Sequence, residues 1–108
     1  MKSDQLKGHL DVLLLAVVDV RPAHGYAIIS ALREQSEGTF DLPEGTVYPA
    51  LHRLEEAGLV ASRWGEVGGR RRRVYQLTGS GATALAERRT EWKQFVMGVD
   101  NVLGWAPA

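Results

Sequence analysis

The chain of 108 residues contains no cysteine, and that gap closes several routes at once. Disulfides, thiolate nucleophiles and cysteine-ligated zinc are all excluded. Histidine is scarce: His9, His24 and His52 stand on separate predicted elements without metal-ligand spacing, so no metal site is expected. Four prolines are too few for a proline-rich linker, and no repeat or low-complexity segment divides the chain. Net charge is missing too, since thirteen basic and thirteen acidic residues cancel, so the overall balance gives no sign of a polyanionic partner. No long hydrophobic run occurs. Val12 to Val18, the longest, is fenced by Asp11 and Asp19 and falls far short of the ~20 apolar residues that span a bilayer. Lys2, Lys7 and this run faintly resemble a signal peptide, but Asp4 and Asp11 interrupt it and no small-residue cleavage site follows. A soluble, cytoplasmic protein without a membrane partner is expected.

What is present is an average globular composition, 44% hydrophobic and 24% charged, in a length suited to one domain. A core of this size is modest, so part of the stability is expected from association. Leu6, Leu10, Leu13, Leu14, Val17 and Val18 recur with helical spacing and predict a first helix from about Asp4 to Val20, ended by Arg21-Pro22. A second helix is predicted from Gly25 to Gln35 with Tyr26, Ile29 and Leu32 inward, followed by an extended piece around Phe40. The third runs from near Glu44 to a stop at Gly58. Val47, Leu51 and Leu54 form its buried stripe, which turns Tyr48, His52 and Glu55 outward and leaves Pro49 and Arg53 at the margin. Pro49 is expected in or just past the first turn, where a missing amide costs least.

Two strands, Leu59 to Trp64 and Arg72 to Leu77, flank a glycine-rich tip at residues 65–69. Thr78 then caps a last helix from Gly79 to Leu103. Helix, helix, helix, hairpin, helix is the winged-helix order: a mainly α fold with a small β-hairpin. Residues 1–78 are expected to form the winged-helix domain and residues 79–108 a C-terminal dimerisation helix and tail. In that helix Ala82, Leu85, Arg89, Trp92, Val96, Val99 and Leu103 alternate steps of three and four, with Phe95 and Val102 widening the stripe. Such a face predicts a homodimer interface carried by Leu85, Trp92, Phe95, Val96, Val99 and Leu103. The alternative is a helix folded back on the first helix of its own chain.

Charge becomes informative when it is read locally. Residues 1–62 carry five basic and nine acidic groups, whereas residues 63–81 hold five arginines against one glutamate, a net of +4. Arg70, Arg71, Arg72 and Arg73 beside the glycine tip predict a flexible cationic finger for phosphates, which arginine grips with paired hydrogen bonds. Alternation sets Arg71 and Arg73 opposite to Arg70 and Arg72, and a plain solvated hairpin end would carry the same charges. The third helix supplies the other half of the case. Thr46, Tyr48, His52 and Arg53 can donate hydrogen bonds from a helix that, in a helix-turn-helix, enters the major groove N-terminus first. Double-stranded DNA is the expected partner, with those four residues and Arg70, Arg71 and Arg72 as its contacts.

The stretch Gly45-Thr46-Val47-Tyr48-Pro49-Ala50-Leu51-His52-Arg53-Leu54-Glu55-Glu56-Ala57-Gly58-Leu59-Val60 resembles the recognition-helix signature of PadR-type transcriptional regulators. His24-Gly25-Tyr26 and Tyr75-Gln76-Leu77-Thr78 belong to the same pattern, and the resemblance covers nearly the whole chain. It implies a short PadR protein with one C-terminal helix, acting as a dimeric repressor. Pro43 departs from a frequent serine-like cap, and Arg71 and Val74 replace a common proline and tyrosine of the wing.

Trp92 matches the tryptophan with which multidrug-binding members stack planar aromatic ligands in a dimer pore, and Ser62-Arg63-Trp64-Gly65 resembles their hairpin. That resemblance implies an aromatic effector site at Val12, Arg88, Arg89, Trp92 and Val96, where the two basic side chains would disfavour cations and favour neutral or anionic aromatics. An interface anchor is the plainer role for Trp92.

Enzymatic readings find no frame. Gly79-Ser80-Gly81-Ala82-Thr83-Ala84 fits the dinucleotide fingerprint in form, but no second strand with an acidic residue follows. No GxSxG elbow exists, and Glu55-Glu56 reads as a solvated pair. No cofactor is expected. The expected function is a ligand-responsive repressor, a homodimer on a palindromic operator; its rival is a dimeric aromatic-binding or coiled-coil adaptor without a specific DNA site.

Overall fold

The computed structural model describes residues 9–104. Its elements are α1 (Leu10–Val20), β1 (Ala23–His24), α2 (Gly25–Gln35), α3 (Glu44–Glu56), β2 (Val60–Val67), β3 (Arg70–Leu77) and α4 (Gly79–Leu103). This is the winged-helix order, mainly helical with a small antiparallel sheet. The expected first turn at Asp4, with Leu6, lies outside the described residues. One strand was not legible in the sequence: β1 pairs with β3, as Ala23 with Tyr75 and His24 with Val74, giving the order β1-β3-β2. Two residues show no alternation, so only the partner strand reveals them.

Helix α1 is central. Leu10, Leu14, Leu15, Val17 and Val18 are buried, because α1 packs on α2, α3, α4 and β3 at once. On α2 the buried residues are Gly25, Ile28 and Leu32, with Ile29 at the margin. The inward placement expected of Tyr26 is corrected: it is 49% exposed. Pairing through β1 sets the phase of α2 so that Gly25 meets α3, where an added Cβ would overlap the Tyr48 ring.

Residues 36–40 form turns rather than the expected extended piece. The Phe40 amide donates to Ser36 Oγ at 2.8 Å, and the Phe40 ring packs against the core.

Helix α3 buries Val47, Ala50, Leu51 and Leu54. It ends in a Schellman arrangement, with the Leu59 amide donating to the Leu54 carbonyl and the Gly58 amide to that of Glu55. Gly58 takes the left-handed conformation this requires, φ 76°. At the other end Pro43 offers no side-chain cap; its carbonyl accepts from the amides of Thr46 and Val47 instead. Pro49 is the sixth residue of the helix, beyond the first turn, and deprives the Gly45 carbonyl of its donor. Gly45 is exposed, so water can replace the lost bond.

The hairpin strands run longer than expected, eight residues each, and pair from Val60–Leu77 to Val67–Arg70. The turn is therefore Gly68-Gly69 alone, both at positive φ, a two-residue primed turn. Thr78 caps α4 by accepting from the Gly81 amide at 3.0 Å, while its hydroxyl donates to the Gly58 carbonyl at 2.6 Å. Only Gly81 and Leu85 of α4 are buried. The first half of α4 lies along α1, with Arg89 beside Asp19 and Trp92 beside His9, and the exposed end beyond them extends a molecule 50 Å long against 28 and 25 Å across.

Candidate nucleic-acid interface

The register of the hairpin sorts its side chains. Trp64 stands opposite Arg73 and Ser62 opposite Tyr75, so Ser62, Trp64, Arg71, Arg73 and Tyr75 share one face. Buried Tyr75 marks that face as the one turned to the core. Toward the tip, Trp64 is 57% exposed and receives the guanidinium groups of Arg71 and Arg73, at 5.3 and 5.5 Å from its ring centroid. Arg72 leaves from the other face and lies 5.5 Å from the centroid of Tyr26, while Arg70 is exposed beside the turn. A cation over an aromatic face is held by the ring's quadrupole. The expected flexible finger is thus a paired ribbon with three of its four consecutive arginines seated on aromatic rings. The aromatic seats Trp64 and Tyr26 were not foreseen, although the hairpin register predicts the Trp64–Arg73 pairing once the turn is placed at Gly68-Gly69.

On α3, His52 and Arg53 are exposed and Thr46 is half-exposed in the first turn. Tyr48 does not point freely outward as expected; it is half-buried, its phenol lying over Gly25. Arg53 reaches back to α1, with Nη2 3.5 Å from Asp11 Oδ1. The solvated-pair expectation holds for Glu56, which is exposed, but not for Glu55. Glu55 Oε2 accepts from the Ser62 amide at 3.1 Å and from the Ser62 hydroxyl at 2.5 Å. The same hydroxyl oxygen accepts from Arg73 Nε at 2.7 Å.

Between α3 and the wing lies a small electrostatic cluster. A hydrogen bond to Glu44, and that carboxylate's charge, raise the Tyr26 phenol above its ordinary value. Burial, then Glu44, does the same for Tyr48. Burial, then the charge of Arg72, lowers His24, which makes no side-chain cap to α2. Near neutral pH the two phenols are uncharged donors and the imidazole is neutral, so Arg72 supplies the positive charge among them.

The far end of the molecule is apolar. Leu85, expected at an interface between chains, is only 1% exposed because it completes the chain's own core. Further along α4, Trp92, Phe95, Val99 and Leu103 are exposed, with Val96 partly covered. The Trp92 ring lies 4.7 Å from that of His9 and 5.5 Å from that of Phe95. Two open grooves meet at Val12 and Trp92. One, of about 560 Å³, takes in Glu87, Arg88, Glu91 and Phe95. The other, of about 490 Å³, takes in Leu13, Phe40, Arg89, Lys93 and Val96. The five expected effector residues therefore surround the Val12–Trp92 wall, but Arg88 and Arg89 serve opposite sides of it. Arg89 Nη1 also lies 3.5 Å from Asp19 Oδ2 on α1.

A family model described as the transcriptional regulator PadR-like family matches residues 14–87. Over 57 residues the chain is 47% identical to the transcriptional regulator Rv3488 of Mycobacterium tuberculosis, a stretch that is 53% of each protein. A solved transcriptional regulator from Clostridium thermocellum is similar over 94% of this chain and 96% of its own, at 27% identity and a TM-score of 0.82. A PadR family transcription regulator from Clostridium difficile is 33% identical, with a TM-score of 0.76 over 88% of this chain and 97% of that one. These relatives are regulators rather than enzymes.

Proposed function

The chain belongs to the PadR-like family of transcriptional regulators, and from that premise we propose that it is a homodimeric, sequence-specific DNA-binding repressor whose operator affinity responds to a planar aromatic ligand. One observation carries the DNA-binding part: an exposed α3 surface adjoins a wing whose Arg71 and Arg72 are held on aromatic seats. Prepositioned guanidinium groups lose less freedom on gripping phosphates. Thr46, Tyr48, His52 and Arg53 contact bases or phosphates from the major groove, and Arg70, Arg71 and Arg72 follow the backbone or minor groove. Arg53 must exchange Asp11 for DNA, or share it.

Dimerisation uses Trp92, Phe95, Val96, Val99 and Leu103; Leu85 is withdrawn from that set. A twofold axis between α4 helices would set two α3 helices in successive major grooves, about 34–36 Å apart, on a palindromic site.

Selection from a random duplex pool tests this reading. One palindromic site should emerge, bound ~10³-fold or more tighter than random DNA. Replacing Arg71 and Arg72 with alanine should weaken binding to every duplex and reduce the salt slope by about 0.9 per lost phosphate contact. Equal affinity for all duplexes would leave the adaptor function instead.

The ligand part rests on the two grooves at Trp92. Lys93, with Arg89 shared with Asp19, makes the more apolar groove basic, which favours neutral or anionic aromatics there, whereas Glu87 and Glu91 offset Arg88 in the other. A panel of neutral and anionic planar aromatics should include one that quenches tryptophan fluorescence and lowers operator affinity in the same concentration range. Both effects should vanish in Trp92→Leu. No quenching across the panel would remove the effector from the proposal.

A further inference from the structure

We infer that Glu55 is a positioning residue for DNA recognition: by clamping Ser62 it holds the wing arginines in register with α3. The inference rests on the DNA-binding function proposed above. Glu55 stands on the last turn of α3, and its Oε2 accepts both the amide and the hydroxyl of Ser62 on β2. A serine hydroxyl has one proton to give. With that proton committed to Glu55, the oxygen faces Arg73 Nε on β3 as an acceptor, at 2.7 Å. The guanidinium of Arg73, tethered through Nε, lies over Trp64, and Arg71 lies over the same ring. The chain of contacts thus runs from helix to wing tip as Glu55, Ser62, Arg73, Trp64, Arg71.

The charge of Glu55 makes its presence informative. A carboxylate on a DNA-facing helix repels phosphate, so charge alone would argue against it. Its geometric service offsets that cost. Beyond the two residues of β1 the wing continues as a two-stranded ribbon, which is marginally stable alone and twists easily, and α3 must enter the major groove while the wing meets phosphates beyond it. The two contacts are useful together only if their separation is set. Glu55 ties β2 to α3, and Ser62 passes the constraint to β3.

Two substitutions separate geometry from charge. Glu55→Ala and Glu55→Gln remove the same negative charge, but the glutamine amide oxygen can still accept from Ser62. On the selected operator, Glu55→Ala should weaken binding about tenfold and lower the salt slope by about 0.9 for each wing arginine released, although no basic residue has been removed. Glu55→Gln should keep the native slope and bind at least as tightly. Ser62→Ala keeps the Glu55 charge and the amide bond but removes the link to Arg73, so it should also lower the slope; it carries the test if Glu55→Ala fails to fold. Tighter binding by both Glu55 variants with a native slope in Ser62→Ala would overturn the inference. So would weaker binding with an unchanged slope, the mark of a purely structural bond. A native protein that prefers no duplex would overturn the DNA-binding function itself, and this inference with it.

Discussion

Phe95→Glu combined with Val99→Glu should split the proposed homodimer and reduce operator affinity by a factor on the order of 10² or more. Both side chains sit on the exposed apolar face of α4, Phe95 being 60% exposed, so neither supports the chain's own core. In a dimer they would be desolvated, and two carboxylates from each chain facing their twofold mates would be buried without partners. The monomer should therefore keep its fold and lose only its assembly. Sedimentation equilibrium should show two chains becoming one, with the far-ultraviolet spectrum unchanged. Losing the dimer separates two linked half-site contacts into independent ones, which is why the effect on DNA is large. A doubly substituted protein that remains dimeric would place the assembly surface elsewhere.

Gly81→Ala is expected to cost about 3 kcal/mol of folding stability. The added Cβ would overlap the Leu59 carbonyl, and Leu77 closes the other side. A backbone carbonyl cannot rotate away as a side chain can, so either α4 or the α3–β2 connection must move. That movement would also disturb the Thr78 hydroxyl, which joins the Gly81 amide to the Gly58 carbonyl. Against a typical domain stability of ~5–15 kcal/mol, the loss should lower the melting temperature by roughly 10–20 °C. Gly79→Ala is the control, since a Cβ there meets open space and should leave the melting temperature nearly unchanged. Equal effects at the two glycines would mean that helix propensity, not the close approach, dominates.

The same glycine shows where reading the sequence stopped. Thr78 and the spacing that follows suffice to start α4 at Gly79, and its bounds match the structure. The need for Gly81 arises from a carbonyl more than twenty positions earlier, brought near by the hairpin. Gly25 and Tyr48 repeat the lesson. Each lies on a helix legible from periodicity, but their contact depends on how α2 and α3 pack, and that packing turned Tyr26 outward and covered Tyr48. Leu85 and Phe95 share one apolar stripe, and periodicity cannot tell which part of it a chain keeps for its own core. Only the position of α1 divides them.

Local rules were enough for the helix periods, the glycine stop after α3, the hairpin and the Thr78 cap, because each depends on neighbours within a turn or two. They also revealed that a balanced total charge hides five arginines and one glutamate between residues 63 and 81. Tertiary structure decided how the charged side chains of the helices and the wing are held. Arg53 meets Asp11 across two helices, Arg72 meets Tyr26, and Glu55 reaches Arg73 through Ser62. A side chain's charge belongs to its residue type, but its direction is set by whichever partner folding brings within a few ångströms. The composition therefore held the arginines, and folding gave Arg71, Arg72 and Arg73 their aromatic seats.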